Sequence, residues 1–182
     1  MTLIIVGILL AAAVMWIISL QRKLVVMDEN INNAMSQIGV QLSSRFDALT
    51  ALLDLTAAYA AHESQTLMET VKSRRSVITA ISTPDDVLQQ EDIISEALGR
   101  ISMVAEQYPD LKASQNYIKC MDAVDSYEKM VRTSRLIYND SVTKFNRELR
   151  MFPTSLFIGM LGFQPRDYLE VNDAKADLPR MR

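Results

Sequence analysis

The chain has 182 residues, a formal net charge of −3 and a single cysteine and histidine. The acidic balance provides no general basic surface for nucleic acid, and one cysteine with one histidine excludes an internal disulfide and a Cys/His zinc site within one chain. Good helix formers dominate and only five Gly and five Pro occur, so we expect an all-α protein.

The N-terminal segment from Leu3 to Leu20 is an apolar run of eighteen residues without a charge. At about 1.5 Å per residue it spans roughly 27 Å, close to the thickness of a hydrocarbon core. Trp16 lies near one end, where aromatic anchors occur. A cleaved signal peptide is the alternative, but no basic residue precedes the run and no Ala-x-Ala site follows it. We predict an uncleaved transmembrane anchor over residues 1–22.

The flanking charges predict an orientation for this anchor. Arg22 and Lys23 follow the run and no Lys or Arg precedes it, so the positive-inside rule places the N-terminus outside and the body in the cytoplasm. The free thiol of Cys120 agrees with a reducing compartment. We expect residues 23–171 to form the folded body and residues 172–182 a polar, mobile tail.

A first long helix is expected to leave the membrane and continue to about Ile81, with a bend at Gly39, because no Pro occurs between Leu20 and Thr83. Arg45 and Glu63 lie on its apolar row. The row steps by four and three and shifts by about one position after Glu63. Its apolar members are Ile31, Met35, Ile38, Leu42, Leu49, Leu52 and Tyr59, then Leu67, Val71, Ile78 and Ile81.

A second helix is expected to begin at Pro84, with Thr83 as its N-cap and two carboxylates in its first turn. It should end near Gln107, because the residue before Pro109 disfavours helical geometry. Its predicted inward residues are Val87, Ile94, Leu98, Ile101 and Tyr108.

The third predicted helix, from about Leu111 to Met151, has the most regular pattern. Nine of the eleven positions in its row are apolar or aromatic, and steps of four and three alternate throughout, as in a packed coiled-coil seam. The row is Tyr117, Met121, Val124, Glu128, Val131, Arg135, Tyr138, Val142, Phe145, Leu149 and Phe152.

Pro153 should end the third helix, and the apolar segment 154–163 that follows is too short to span a bilayer. We expect it to fold back over the end of the helices as a half-helix. Whether it touches lipid stays open at this point.

Glu128 and Arg135 are two charges within the apolar row of the third helix. They lie two turns apart, roughly 10 Å, so each needs a partner from another helix. Arg45, Glu63, Arg74 and Arg75 of the first helix are the candidates. We hypothesise a buried polar layer that joins the first and third helices through Arg45, Glu63, Glu128 and Arg135. The alternative is that the long side chains reach water from the edge of the seam.

The runs "YPDLKASQNY", "RLIYNDSVTKFN" and "FPTSLFIGMLGF", with the upstream "QIGVQLSSRFDALTALLDLTAAYAAHES", resemble the LemA family over about Ile31 to Val171. The chain departs from the family pattern at Leu49-Thr50-Ala51, where relatives usually have Ile-Pro-Asn. The resemblance implies a membrane-tethered antiparallel helical bundle, usually with four helices, and no established enzymatic activity. Some relatives are linked to internal-membrane formation or envelope maintenance. By position, recurrent residues of the family are matched by Arg45, Glu63, Glu128, Arg135, Tyr138, Asn139 and Asn146, and we interpret these as architectural.

The leading functional prediction is a non-enzymatic, membrane-anchored scaffold without a cofactor. A third helix of about 41 residues exceeds a second helix of about 24, which leaves part of it without a full-length neighbour and predicts homo-oligomers. The bilayer and other copies are then the expected partners. A membrane-tethered sensor or signalling partner is the alternative.

An enzymatic role has little support in the residue pattern. The adjacent His62 and Glu63 do not face each other on a helix, and Cys120 fits a small packing residue. One histidine cannot supply the two Glu-x-x-His motifs of a di-iron helical protein.

Overall fold

The computed structural model describes residues 1–170, apart from the side chain of Glu63. Within this range the regular elements are all helical, which confirms the all-α prediction. The elements are α1 (Thr2–Ala57), α2 (Ala61–Arg74), α3 (Pro84–Gln107), α4 (Pro109–Ala113), α5 (Gln115–Arg150), a 3₁₀ turn (Thr154–Leu156) and α6 (Ile158–Leu161). The predicted tail, residues 172–182, lies outside the described residues.

Helix α1 changes its surroundings along its length. By length and composition it is the one helix in the described residues that is apolar enough to cross a membrane, and only 6% of its most apolar window is buried. Inward packing begins at Leu20 and Leu24 and continues to Thr56. The N-terminal part therefore fits a membrane location, and the rest of the same helix contributes to the core of what we call the helical body, residues 20–170.

Helices α1 and α5 pack side by side and run in opposite directions. Lys23 pairs with Glu148 at 2.7 Å near one end, and Arg45 pairs with Glu128 at 2.8 Å further along. Both predicted apolar rows face this contact, since most of their members are buried. The buried members include Ile31, Met35, Ile38, Leu42, Leu49 and Leu52 on α1 and Tyr117, Val124, Val131, Tyr138, Val142, Phe145 and Leu149 on α5.

The first helix ends at Ala57 instead of continuing to Ile81. The hydroxyl of Thr56 donates to the carbonyls of Leu52 and Leu53, and the chain then turns through residues 58–60. Tyr59 leaves the predicted row at this turn, and its ring lies 5.9 Å from that of Tyr108. Both side chains were predicted to face inward, and both are exposed. Helix α2 returns alongside α1.

A non-helical segment, residues 75–83, connects α2 to α3, whereas the sequence predicted that the first helix continues to about Ile81. Ile78 is buried against α1, whereas Ile81, predicted to face inward, is 91% exposed. The Gln90 side chain holds the start of the segment: its Oε1 accepts from the N–H of Ser76 at 2.8 Å, and its Nε2 donates to the carbonyl of Arg74 at 3.3 Å.

Gly39 lies where the connecting segment crosses α1. A Cβ at this position would be 2.2 Å from the carbonyl oxygen of Ile78, closer than atoms can approach. Helix α1 is continuous through Gly39, so the glycine serves close approach of the backbone instead of the predicted bend.

The predicted boundaries of α3 are confirmed. The Thr83 hydroxyl accepts from the N–H of Asp86 at 3.2 Å, and the Asp86 carboxylate accepts from the N–H of Thr83 at 2.7 Å. This reciprocal capping satisfies two free N–H groups at the helix start. The bond from the Thr83 N–H also lowers the pKa of Asp86 below its ordinary value.

The third predicted helix is divided at Ser114 into α4 and α5. The Ser114 hydroxyl accepts from the N–H of Tyr117, so a new helix start forms where one continuous helix was expected. At the other end α5 stops at Arg150, and Phe152, predicted to be in the row, is 79% exposed.

Two C-terminal segments follow α5. Residues 151–162, which we call the apolar cap, continue beside α1 toward its N-terminus and place the Phe157 ring 5.6 Å from that of Trp16. Residues 163–170, which we call the strap, are non-helical and return along α5.

Candidate functional site

Arg45 is a buried cation in the contact between α1 and α5. The residue is 4% exposed, and its Nη2 donates to Oε2 of Glu128 at 2.8 Å. Burial lowers the pKa of Arg45, and the negative charges of Glu128 and then Glu91 oppose this shift. Its buried Nε has no hydrogen-bond partner within the described part of the chain. Because the guanidinium stays charged in proteins, the nearby carboxylates must offset the free-energy cost of burying it.

Arg135 has its partners outside the first helix, whereas the sequence hypothesis placed them on that helix. It pairs with Glu91 of α3 and also donates to the carbonyl of Glu170 in the strap. The difference arises because α3 and the strap occupy the side of α5 to which Arg135 points. The other basic candidates, Arg74 and Arg75, pair with Glu96 and Asp47 respectively.

Three of the four predicted layer residues lie close to the contact between α1 and α5. Glu91, which was not predicted, joins them there. Arg45 and Glu128 link α1 to α5, and Glu91 and Arg135 link α3 to α5. The fourth predicted residue, Glu63, lies in the first turn of α2, and its side chain is outside the described structure. We call Arg45, Glu91, Glu128 and Arg135 the charge layer.

Glu91 was missed by the sequence reasoning, although a signal exists. It lies four residues after Val87 and three before Ile94, so it fills the vacant position in the apolar row of α3. A carboxylate at a row position of one helix and arginines at row positions of two others are typical of paired buried charges.

Asn139 and Asn146 fasten the strap to α5 through the same pair of hydrogen bonds. The Asn146 amide donates to the Arg166 carbonyl at 2.8 Å and accepts from the Arg166 N–H at 2.9 Å. Asn139 makes the equivalent bonds to Leu169, both at 2.9 Å. Seven residues of helix rise about 10 Å, and three residues of extended chain cover about 10 Å. The two spacings match, so both amides reach the main chain of the strap.

Side chains complete the attachment of the strap. The Tyr138 hydroxyl donates to the Asp167 carbonyl at 3.0 Å, and burial raises the pKa of Tyr138. The Arg166 guanidinium donates to both carboxylate oxygens of Asp28 on α1, at 2.9 and 3.0 Å. The side chain of Leu169, the residue whose main chain Asn139 binds, is buried. Asp28 and Arg166 are 138 positions apart, so no local pattern indicated their pairing.

We expect Asn139→Asp to loosen the strap. The carboxylate keeps the acceptor for the Leu169 N–H but loses the donor to the Leu169 carbonyl, so the free energy of unfolding should fall by about 1–2 kcal/mol. Hydrogen–deuterium exchange of residues 163–170 should accelerate. Asn33→Asp, the same change at an exposed position of α1, is the control. Equal exchange in the two variants would mean that the Asn139 amide does not hold the strap.

A cavity of about 510 Å³ lies at the end of the helical body farthest from the apolar run. Apolar side chains such as Leu53, Leu67 and Ile101 line it, and His62 and Arg100 contribute polar groups. His62 is exposed and Cys120, on α5, is half-buried. No group of three or more potential metal ligands occurs among the residues that the structure describes.

Comparison with known sequences places these features in a family. A sequence model described as the LemA family matches residues 34–182. The chain belongs to the LemA family. The match includes all four residues of the charge layer and the three strap-binding residues Tyr138, Asn139 and Asn146, in agreement with the resemblance seen in the third-helix motifs.

Individual relatives of this LemA-family chain are distant. Protein LemA of Metamycoplasma hominis is 27% identical over 129 residues, which are 70% of this chain and 59% of the relative. Magnetosome proteins MamQ 2 and MamQ 1 of Paramagnetospirillum magneticum are each 30% identical over 78 residues, 43% of this chain and 29% of each relative. The matched region therefore spans about three fifths of the first relative and under a third of the others.

Proposed function

We propose that this protein is a non-enzymatic scaffold that is anchored in a membrane by α1 and assembles with other copies through its helical body. The observation that carries the proposal is the continuity of α1 from Thr2 to Ala57. Its exposed apolar part suits lipid, and the following part supplies the core of the body. With about 1.5 Å per residue, the section after Leu20 extends roughly 55 Å. A body joined to its anchor without a hinge moves together with the spanning helix as one unit.

The proposed topology follows the positive-inside rule. Arg22 and Lys23 lie just after the apolar run, beyond Gln21, and are exposed. The body, an antiparallel helical bundle in this proposal, then lies in the cytoplasm with the N-terminus on the other side. The names of the magnetosome relatives support a role at membranes, and we propose that assembly of this scaffold organises or maintains the membrane that holds it.

The surface proposed for self-assembly is the open groove between α1 and α5. Asn33 and Gln37 of α1 and Ile137 and Ser141 of α5 line it. Other exposed aliphatic side chains lie at multiples of seven residues from the groove residues Asn33 and Ile137: Val26 and Val40 on α1, and Met130 on α5. Multiples of seven keep these side chains on one stripe of each helix, which is the arrangement that a further pair of helices can cover.

Cysteine cross-linking in membranes tests the assembly surface. In a Cys120→Ser background, which removes the single natural cysteine, Ile137→Cys should give dimers with a short bis-maleimide. Leu136→Cys is the matched control, because it is a neighbouring exposed aliphatic residue turned about 100° away on the same helix. Monomers alone at position 137, or equal dimer yields at both positions, would contradict assembly through this groove.

A further inference from the structure

The apolar cap, residues 151–162, exposes a group of large apolar side chains at the end of α5. Phe152 is 79% exposed, Leu156 70% and Met160 69%. No charged residue occurs between Arg150 and Arg166. Soluble proteins rarely leave such a patch in water, and it usually marks a surface that another apolar phase covers.

The register of α1 against α5 places this patch at the depth of the membrane surface. Lys23 faces Glu148, so the two helices are at the same level there, and α5 ends two residues later at Arg150. The cap then continues toward the N-terminus of α1, where Phe157 contacts Trp16. Trp16 is four residues, or about 6 Å, inside the end of the apolar run at Leu20. The cap therefore lies beside the section of α1 that fits the bilayer.

Charges border the patch on the side of the helical body. Arg22, Lys23, Arg147 and Arg150 are exposed around this level, and Glu148 is the acidic residue among them. This collar has a net positive charge directly above an apolar surface. Anionic lipid headgroups above acyl chains have the complementary arrangement.

We propose that the apolar cap inserts into the leaflet next to the helical body and forms a second, non-spanning membrane contact, with the basic collar on anionic headgroups. This inference rests on the proposed membrane anchor. One spanning helix leaves the body free to tilt and rotate about the helix axis. A second contact at the same interface restricts both motions, so the helical body presents a defined face along the membrane plane.

Site-specific fluorescence in liposomes tests the inserted cap. The full-length Cys120→Ser protein carrying Met160→Cys or Leu156→Cys is labelled with an environment-sensitive dye and reconstituted in phosphatidylglycerol–phosphatidylcholine vesicles. Met103→Cys is the matched control, since Met103 is also an exposed methionine but lies at the opposite end of the body, beside the distal cavity. We expect emission at shorter wavelength and quenching by acyl-chain nitroxides at positions 156 and 160, and quenching by aqueous iodide at position 103.

Trp16, the single tryptophan of the chain, reports separately on the anchor. If lipid nitroxides quench Trp16 but iodide reaches the labels at 156 and 160, the anchor lies in the bilayer and the cap does not. That result would overturn the inserted cap. Shielding of both labels from iodide and from lipid quenchers would overturn it too, because a second copy or another protein surface would then cover the patch. Absence of lipid quenching at Trp16 would contradict the anchor itself, and the cap with it.

Discussion

Replacing Gly39 by alanine should lower the free energy of unfolding by about 2–3 kcal/mol, since overpacking at a rigid contact has effects of this size. Within a helix the same change normally stabilises by about 0.5–1 kcal/mol. Here the new Cβ would be 2.2 Å from the carbonyl oxygen of Ile78 and 3.0 Å from its carbonyl carbon. Gln90 holds the preceding backbone through Arg74 and Ser76, so the segment cannot retreat without losing hydrogen bonds and the burial of Ile78.

Gly99→Ala is the matched control for this prediction. Gly99 lies in the middle of α3, is exposed, and has no atom within 4 Å of an added Cβ. The Gly99→Ala substitution should therefore raise the free energy of unfolding by about 0.5–1 kcal/mol. Both variants are compared as full-length proteins in detergent by denaturant unfolding, followed by far-ultraviolet circular dichroism. A stabilising effect at both positions would show that the segment 75–83 does not press on α1.

Periodicity predicted the core of α1 and α5 because it depends on residues close together in the sequence. The row that includes Val124, Val131, Tyr138 and Phe145 repeats every seven residues, and these side chains are buried together. The start of α3 at Thr83 and Pro84 was predictable for the same reason, since capping involves residues three positions apart.

The end of α1 was not predictable in this way. No Gly or Pro occurs near Ala57, and Ile78 and Ile81 fit the spacing of a helical row. The chain leaves the helix because packing of α2 and of residues 75–83 against α1 buries Ile78 on Gly39. Such a contact joins residues about forty positions apart, and tertiary packing of this kind overrides helix propensity.

The candidate site was likewise predictable from the sequence only in part. Arg45, Glu128 and Arg135 were recognisable because a charge in an apolar row is unusual, and Asn139 and Asn146 through family resemblance. The sequence also offered Arg45 as a candidate partner of Glu128, and the position of Glu91 in the apolar row of α3 was a signal that the reasoning missed. The strap was not recognisable, since it reaches the asparagines only after the helices have packed. The asparagines in particular bind main-chain groups, which leave no trace in the identity of the bound residues.

Glu128→Gln should lower the free energy of unfolding by about 2–3 kcal/mol. Glutamine keeps an acceptor for Arg45 but removes the charge that offsets its burial, and an uncompensated buried cation is strongly destabilising. Because the Glu128 side chain is 35% exposed, the effect should be smaller than the roughly 3–5 kcal/mol of a fully buried pair. The control is Arg132→Gln, which removes the other arginine that contacts Glu128; its side chain is 74% exposed, so we expect less than about 1 kcal/mol.

Replacing both partners separates the charge effect from the packing effect. Arg45→Met with Glu128→Leu fills a similar volume without charge, and apolar replacement of a buried pair is often neutral or stabilising. We expect the double variant to be more stable than Glu128→Gln alone, with a coupling free energy measurable in a double-variant cycle. If Glu128→Gln and Arg132→Gln unfold at the same denaturant concentration, the contact between Arg45 and Glu128 contributes no more than a surface ion pair. The long side chain of Arg45 would then reach enough water to satisfy its charge without Glu128.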